Sequence, residues 1–406
     1  MRTPSYSTTI FHSNFISFQA QGRIMGRKVK GFFAGKRPWS IIKDQVLENY
    51  MSPYIAKINK LDRPILLIDG YAGPGIFEDG KHGSPMIMCQ AAEKYAKGKW
   101  EAIFINKEQE YHDKLAQVIH RARWSGSATP ILGDSMVLLH TLPSTLKDQS
   151  VFLYLDPFGP TGCEFALLQP FLERNPKYST EIILTMNMPG MPRLAARHAT
   201  SDGRQEERSI KSNHMLLTRI FGGEYWKDIL LSHSNSREER EYQLIEAYRA
   251  KLAGYLPYTG FCPVRDRIER QIKYFIVFAS RHRDTLTLLN DAMVKAYSSR
   301  MHETSFGDGI WKEVDWHEMR STDPNEAQYF HRLDLVIIET VTKYSGETRE
   351  SIWFRIVQEY FMRYLESEYK AMVQRLVDEK KLLSPTKRPT KRLNNDCALY
   401  PNQSFT

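Results

Sequence analysis

The sequence places an acid and a group of glycines directly after a short apolar run. Residues 65–68 read Ile-Leu-Leu-Ile, and residues 69–75 read Asp-Gly-Tyr-Ala-Gly-Pro-Gly. This order lets the backbone turn tightly and approach a ligand that lies above the edge of a sheet. A structural turn explains an isolated Gly-x-Gly pair equally well, so the sequence further along the chain has to decide between the two.

Three more polar residues occupy equivalent positions. Asn106, Asp134 and Asp156 each stand at the end of an apolar run or directly after one. A helix N-cap is the commoner role of a single acid after a strand. Four such positions in register favour a ligand site, because ligands of open α/β sheets bind outside the carboxyl ends of the strands.

The triplet Asp156-Pro157-Phe158 closes the fourth apolar run with a carboxylate, a proline and an aromatic ring. A carboxylate and backbone carbonyls can accept hydrogen bonds from a ligand, and an aromatic ring can stack on a planar group. We therefore predict that Asp156, Pro157 and Phe158 are the catalytic residues. The alternative is a structural turn after a buried strand.

A series of short apolar runs forms the predicted framework that positions these residues. The strand ends at 69, 106, 133 and 156 are 37, 27 and 23 residues apart, which are the lengths of βαβ units. A further run occupies 181–185, and residues 258–264 and 271–279 have the pattern of a hairpin. We predict an α/β fold over residues 31–300, with a doubly wound parallel sheet and a C-terminal antiparallel hairpin.

Two segments depart from this rhythm. Residues 191–235 form an Arg-rich insertion in which Arg193 and Arg197 either contact phosphates or lie in a solvated loop. Residues 1–30 contain five basic residues and no acidic one. We interpret them as a flexible arm or as an over-extended start with Met25 as the true initiator, and a targeting peptide is the alternative.

The C-terminal residues have a helical rhythm of their own. After a linker at 301–325, residues 326–402 contain three helical stretches, a basic turn and a short apolar run. This order resembles a winged helix-turn-helix domain. The basic residues of its turn are predicted to contact nucleic acid: Lys387, Arg388, Lys391 and Arg392. A winged helix that contacts protein instead is the alternative.

Composition narrows the class of protein. The 406 residues carry a net charge of +9, which permits a polyanionic partner. Apolar runs are too short to span a membrane, and we expect a cytoplasmic protein. Four scattered cysteines lack metal-ligand spacing, so neither a disulfide framework nor a metal site is predicted. Cys163 is expected to be an inert thiol rather than a nucleophile, since no Pro-Cys motif precedes it.

The glycine segment resembles motif I of S-adenosylmethionine-dependent methyltransferases, and the triplet at 156–158 resembles the Asp-Pro-Pro-Tyr motif of those that methylate amines. The second resemblance implies that the carboxylate and backbone carbonyls accept hydrogen bonds from an exocyclic amine that attacks a methyl group, and that the aromatic ring stacks on an extruded base. The resemblance departs at Asn106, where an acid usually binds the ribose, with Glu108 as a substitute, and at Gly159, which replaces the tyrosine. It implies that Asp134 reaches the adenine amino group. The implied cofactor-binding residues are Asp69, Tyr71, Ala72, Gly73, Gly75, Ser84, Asn106, Glu108 and Asp134.

The order of these motifs is similar to that of the three-Cys-motif partner proteins. The anchors are Trp39-Ser-Ile-Ile-Lys43, the segment 68–75, Gly83-Ser84-Pro85, residues 155–159, Asn187 and Phe278-Ala-Ser-Arg-His282. This resemblance implies a Rossmann-like class I methyltransferase domain that uses S-adenosylmethionine. It also implies a genetic neighbour with a three-cysteine motif, similar to radical S-adenosylmethionine proteins. It implies no substrate.

Two functional hypotheses from different classes follow. The first is a methyltransferase that acts on nucleic acid, with DNA favoured over RNA, in a phage-defence or mobile-element setting. The second is a catalytically inert methyltransferase-like scaffold that serves as a binding partner or regulator. A nicotinamide-dependent oxidoreductase is disfavoured because the fingerprint Gly-x-Gly-x-x-Gly is absent.

Overall fold

The computed structural model describes residues 38–196, 203–232, 235–265, 271–305, 332–385, 392–402 and 404. Seven strands form one sheet. They are β1 Ile65–Asp69, β2 Trp100–Asn106, β3 Ala128–Leu132, β4 Ser150–Leu155, β5 Thr180–Asn187, β6 Tyr258–Arg265 and β7 Ile272–Ser280. The first five are the predicted parallel strands, and the last two are the predicted hairpin.

Ten helices accompany this sheet within the described residues. They are α1 Pro38–Ile58, α2 Ser84–Tyr95, α3 Gln109–Arg121, α4 Ser135–Thr141, α5 Phe165–Leu172, α6 Met191–Ala195, α7 Gly203–Phe221, α8 Trp226–Leu230, α9 Arg237–Ala253 and α10 Arg283–Ser305. Short 3₁₀ turns follow α1 and α4. The sheet strands β1 and β4 are buried along their whole length, which explains why the sequence shows continuous apolar runs there.

The strand order is β3-β2-β1-β4-β5-β7-β6, and β7 is antiparallel to both of its neighbours. This is the topology of class I methyltransferases, so the predicted fold is confirmed. The strand order reverses between β1 and β4, whose ends carry Asp69 and Asp156. In open α/β sheets this switch point is the place where ligands bind.

Each face of the sheet carries its own layer of helices. One apolar core joins the sheet to α1, α2, α3 and α10, and the other joins it to α4–α9. In the first core Tyr50 and Tyr54 of α1 lie 6.1 and 5.3 Å from the ring of Phe152 in β4, measured between centroids. These contacts fix the position of α1 across the sheet.

Helices occur in two segments for which the sequence predicted none. The short helix α4 was not predicted, because its seven residues are too few to show a helical period. The Arg-rich insertion contains α6, α7 and α8, since its scattered apolar residues, among them Phe221 and Trp226, are fully buried against the sheet layer.

The C-terminal residues form helices α11 Leu333–Lys343, α12 Arg349–Glu359 and α13 Glu366–Asp378 with the short antiparallel pair β8 Leu382–Leu383 and β9 Tyr400–Pro401. We call residues 332–402 the C-terminal module. The buried Asn290 of α10 joins it to the sheet domain: its amide donates to the Tyr364 carbonyl (2.8 Å) and accepts from the Met362 amide (2.7 Å). The two parts therefore share a core. Residues 306–331, which connect them in the sequence, are not among the described residues.

A carboxylate is buried at the amino end of β5. Glu181 accepts hydrogen bonds from the hydroxyls of Tyr50 on α1 and Thr285 on α10. Burial raises the pKa of Glu181 to about 7. Because this value lies above that of an unfolded glutamate, Glu181 favours the folded state at low pH, and its contribution disappears as the pH rises through about 7.

We expect Glu181→Gln to remove this pH dependence. Between pH 4.5 and 8 the free energy of unfolding of the variant should rise relative to that of the wild type by roughly 3 kcal/mol, since one pKa unit corresponds to about 1.4 kcal/mol. Urea titrations at several pH values measure the difference. Glu173→Gln, at an exposed site after α5, is the matched control. A difference that is constant with pH would contradict the buried-acid interpretation.

Candidate active site at the carboxyl ends of the strands

A cleft opens above the switch point between β1 and β4. Its walls come from α1, from the connections that follow β1 and β4, from the start of α2 and from the ends of β5 and β7. The lining residues are Ser40, Lys43, Asp44, Tyr71, Gly73, Gly75, Phe77, Gly83, Ser84, Asp156, Pro157, Phe158, Thr185, Asn187 and Tyr274. The cleft thus brings together all three predicted catalytic residues and four of the nine predicted cofactor-binding residues.

Asp69 organises the wall formed by β1 and α2. Its side chain is fully buried and accepts hydrogen bonds from the backbone N–H of Tyr71 (3.0 Å) and the hydroxyl of Ser84 (2.6 Å). Burial raises the pKa of Asp69 to about 7. Asp69 itself does not line the cleft, whereas Ser84, its hydrogen-bond partner, does.

The glycine turn approaches the cleft with its backbone. Gly75 has φ +81°, a left-handed conformation that favours glycine, and its carbonyl accepts from the N–H of Gly83 (2.8 Å). Ala72 donates its N–H to Ile105 of the neighbouring strand. Gly83 is the N-cap of α2, and Ser84, the first residue of the helix, donates its hydroxyl to Asp69.

Four further predicted cofactor-binding residues do not line the cleft. Asn106 is 3% exposed and donates its amide to the carbonyl of Gly73 (3.4 Å). Asp134 is the N-cap of α4 and also pairs with Lys107 (3.0 Å). Glu108 is half-buried directly before α3 and makes no side-chain capping bond there. Ala72 is buried beneath the turn.

The opposite wall of the cleft carries a pair of opposite charges. Lys43 of α1 donates to Oδ2 of Asp156 at 2.5 Å, and the two side chains are 11% and 23% exposed. The ammonium lies 4.9 Å from the ring centroid of Tyr274. Beside the pair, Pro157 is buried and Phe158 is 58% exposed, so its ring is accessible for stacking.

The end of β5 contributes a hydroxyl and an amide. Thr185 is 3% exposed, and its Oγ1 has no hydrogen-bond partner among the described residues. Asn187 accepts from the N–H of Gly190 (3.3 Å). A buried hydroxyl without a partner is costly, so Thr185 is placed to bond a ligand in the cleft.

Several lining residues could not be identified from local sequence pattern. Ser40, Lys43 and Asp44 border the apolar stripe of α1, and a polar residue beside such a stripe usually faces solvent. Thr185 had a usable signal, because it ends the apolar run 181–185. Tyr274 lies within a strand run and had no signal at all.

The predicted nucleic-acid contacts are largely outside the described residues. Arg197, Lys387, Arg388 and Lys391 belong to the part of the chain that is not described. Arg193 is exposed after β5 and donates to the Pro189 carbonyl. Arg392 is exposed in the C-terminal module. For these two residues the structure gives an accessible charge and no ligand.

Other chemistries find little support in the described ranges. Cys163 is fully buried, and burial raises the pKa of its thiol to about 12, as expected for an inert cysteine. Within the same ranges, no group of three or more His, Cys, Asp or Glu side chains is arranged to hold a metal ion. No helix among the described residues is long and apolar enough to cross a membrane.

Comparison with solved structures finds distant similarity to methyltransferases. The protein yhhF from Escherichia coli, a candidate methyltransferase, is 15% identical over 42% of this chain and 77% of that chain, with a TM-score of 0.27. A methyltransferase from Geobacter sulfurreducens is 10% identical over 33% and 58%, with a TM-score of 0.22. Protein LPL1258 from Legionella pneumophila is 9% identical over 59% and 84%, with a TM-score of 0.35.

No family model and no curated protein matches the chain. At these identities and TM-scores the structural similarities say nothing about substrate, and the assignment of the fold depends on the strand order. The resemblance to three-Cys-motif partner proteins stays a prediction.

The glycine turn can be tested by comparing two glycines with the same backbone conformation. At Gly75 a Cβ atom would lie 2.8 Å from Cδ1 of the buried Leu115, whereas at Gly80, with φ +79°, it would meet nothing within 4 Å. We expect Gly80→Ala to cost about 1 kcal/mol of stability, from backbone strain alone. Gly75→Ala should cost about 1 kcal/mol more, from overpacking. Equal losses in urea unfolding would contradict the close approach.

Proposed function

We propose that the protein is an S-adenosylmethionine-dependent methyltransferase that methylates an exocyclic amine of a nucleic-acid base. One observation carries the proposal: Asp156 and the exposed ring of Phe158 share a cleft with the glycine turn at the switch point of the sheet. The first supplies an acceptor for an amine, the second a stacking surface, and the turn a backbone wall for a cofactor.

The wall formed by β1 and α2 fits the cofactor. Gly73, Gly75 and Gly83 line it without side chains, and Ser84 and Tyr71 add polar atoms. These residues would hold S-adenosylmethionine, which supplies an electrophilic methyl group when bound. Two residues are candidates for binding the ribose. Asn106 donates its amide to the Gly73 carbonyl, so we favour Glu108, a half-buried carboxylate.

The opposite wall would orient the amine. Asp156 can accept a hydrogen bond from the amino group, which directs the nitrogen lone pair toward the cofactor wall. The nitrogen loses one proton for the methyl group that it gains, and the carboxylate of Asp156 would receive that proton and pass it to solvent. Phe158 would stack on the base and exclude water from one of its faces.

Nucleic acid is the polyanion that this proposal requires. The net charge of +9 favours such a partner. The basic residues at 387–392 would contact the phosphates, in a winged-helix arrangement of the C-terminal module. DNA is favoured over RNA. The family resemblance adds two further parts to the proposal: a partner protein with a three-cysteine motif, and a role in phage defence.

A second candidate function is an inert scaffold that has kept the fold. It is favoured by a specific observation: Asn106 and Asp134, two of the predicted cofactor ligands, make their hydrogen bonds within the protein. In this alternative the cleft would hold a partner's group without transferring a methyl group.

Binding of S-adenosylmethionine distinguishes the proposed methyltransferase from a scaffold that does not use the cofactor. We expect calorimetric titration with S-adenosylmethionine to give saturable binding to the wild type. Gly73→Val should abolish it, because a branched side chain would fill the wall of the cleft. Gly126→Val, at a glycine with open space between α3 and β3, is the control. Unchanged affinity of the Gly73 variant would move the cofactor site elsewhere.

Chemistry at Asp156 is tested by following transfer of a labelled methyl group to oligonucleotides. Asp156→Ala should keep the affinity for the cofactor and lose about 10²-fold or more in rate, the usual contribution of a positioned acid or base. Asp148→Ala, at an exposed residue before β4, is the matched control. If the wild type binds the cofactor and labels no nucleic acid, the scaffold function is supported instead.

A further inference from the structure

The ion pair in the cleft joins two distant parts of the chain. Lys43 lies on α1 and Asp156 follows β4, 113 residues later, yet Nζ and Oδ2 are 2.5 Å apart. Both side chains line the same cleft. A lysine is rarely held in a mostly buried position without a specific contact, because removing its charge from water is costly. Asp156 and the ring of Tyr274 provide that contact.

The pair presents a hydrogen-bond donor beside an acceptor. An ammonium carries three N–H donors, and the bond to Asp156 uses one of them. The bond from Lys43 goes to Oδ2 of the carboxylate, and the second oxygen, Oδ1, accepts no hydrogen bond from the described residues. A planar ligand that offers its own donor next to its own acceptor would therefore satisfy both residues at once.

We propose that Lys43 and Asp156 together read the Watson–Crick edge of the target base. The proposal rests on the function proposed above and names the class of substrate. Asp156 accepts from the exocyclic amine, and Lys43 donates to the adjacent ring nitrogen. Cytosine, with its amine beside N3, and adenine, with its amine beside N1, have this edge. On the same edge guanine has an N–H beside its amine, so that N–H and the ammonium would be two donors facing each other.

Thr185 supports the same assignment independently. Its buried hydroxyl lines the cleft and lacks a partner among the described residues. A hydroxyl can donate or accept, so it can bond a further polar atom at the edge of either base. The exposed ring of Phe158 is suited to hold that edge in plane by stacking. The cleft thus offers three hydrogen-bonding groups and one stacking surface.

The experiment compares a natural base with an analogue that lacks the ring acceptor. Single-stranded oligodeoxynucleotides carry one cytosine or one 3-deazacytosine, and a second pair carries adenine or 1-deazaadenine. For the methylated base of the two, we expect wild-type kcat/KM to fall about 10- to 100-fold on the analogue, the effect of a hydrogen bond to a charged group. Lys43→Met should lose a similar factor on the natural base and nothing further on the analogue.

Two control variants distinguish the loss of a specific hydrogen bond from a general loss of structure. Lys57→Met removes another ion-paired lysine of α1, whose partner is Asp284, and should behave as the wild type. Lys43→Gln keeps a neutral donor and should retain part of the discrimination. Unchanged affinity of every variant for S-adenosylmethionine shows that the cleft is intact.

The outcomes distinguish this proposal from the function on which it rests. If oligonucleotides are methylated but Lys43→Met still discriminates against the analogue as the wild type does, Lys43 does not read the base. Methylation of guanine in a matched oligonucleotide would likewise overturn the proposal, while leaving nucleic-acid methylation in place. If no oligonucleotide is methylated although the cofactor binds, the proposed function fails and this proposal fails with it.

Discussion

The burial of Asp69 is the constraint on which the candidate site depends. A carboxylate removed from water must be satisfied by hydrogen bonds, and Asp69 finds them in the Tyr71 amide and the Ser84 hydroxyl. These two contacts tie the end of β1 to the first residue of α2, fifteen positions later. The glycine turn lies between the tied points, so its path across the cleft is fixed from both ends.

The second wall of the cleft depends on α1, whose position is set by contacts with the sheet at some distance from the cleft. Tyr50 and Tyr54 contact Phe152. The Tyr50 hydroxyl donates to Glu181 at the amino end of β5, whereas the cleft lies at the carboxyl ends of the strands. Lys43 lies two turns earlier on the same helix. The position of a charged group in the cleft is therefore set by aromatic and polar contacts among residues that do not line the cleft.

Local sequence was enough to predict the strands, because a buried parallel strand is a continuous apolar run that ends in a polar residue. It was also enough for the glycine turn and for Asp156. It could not separate Asp134, which caps a helix, from Asp156, which faces the cleft, since both follow strands. Lys43 and Tyr274 reach the site through contacts between distant segments, and such contacts leave no mark in the spacing of neighbouring residues. The helices of the Arg-rich insertion were missed because their polar faces dominate the composition.

The hydrogen bonds of Asn290 have a consequence for how the molecule can be divided. An amide that is fully buried and bonded to the backbone of residues 362 and 364 would be left unsatisfied if the C-terminal module were removed. Phe278 of β7, whose ring lies 5.5 Å from that of Phe361, would lose an apolar neighbour at the same time. We therefore expect the two parts to unfold together, because separating them would expose both the unsatisfied amide and the apolar contact.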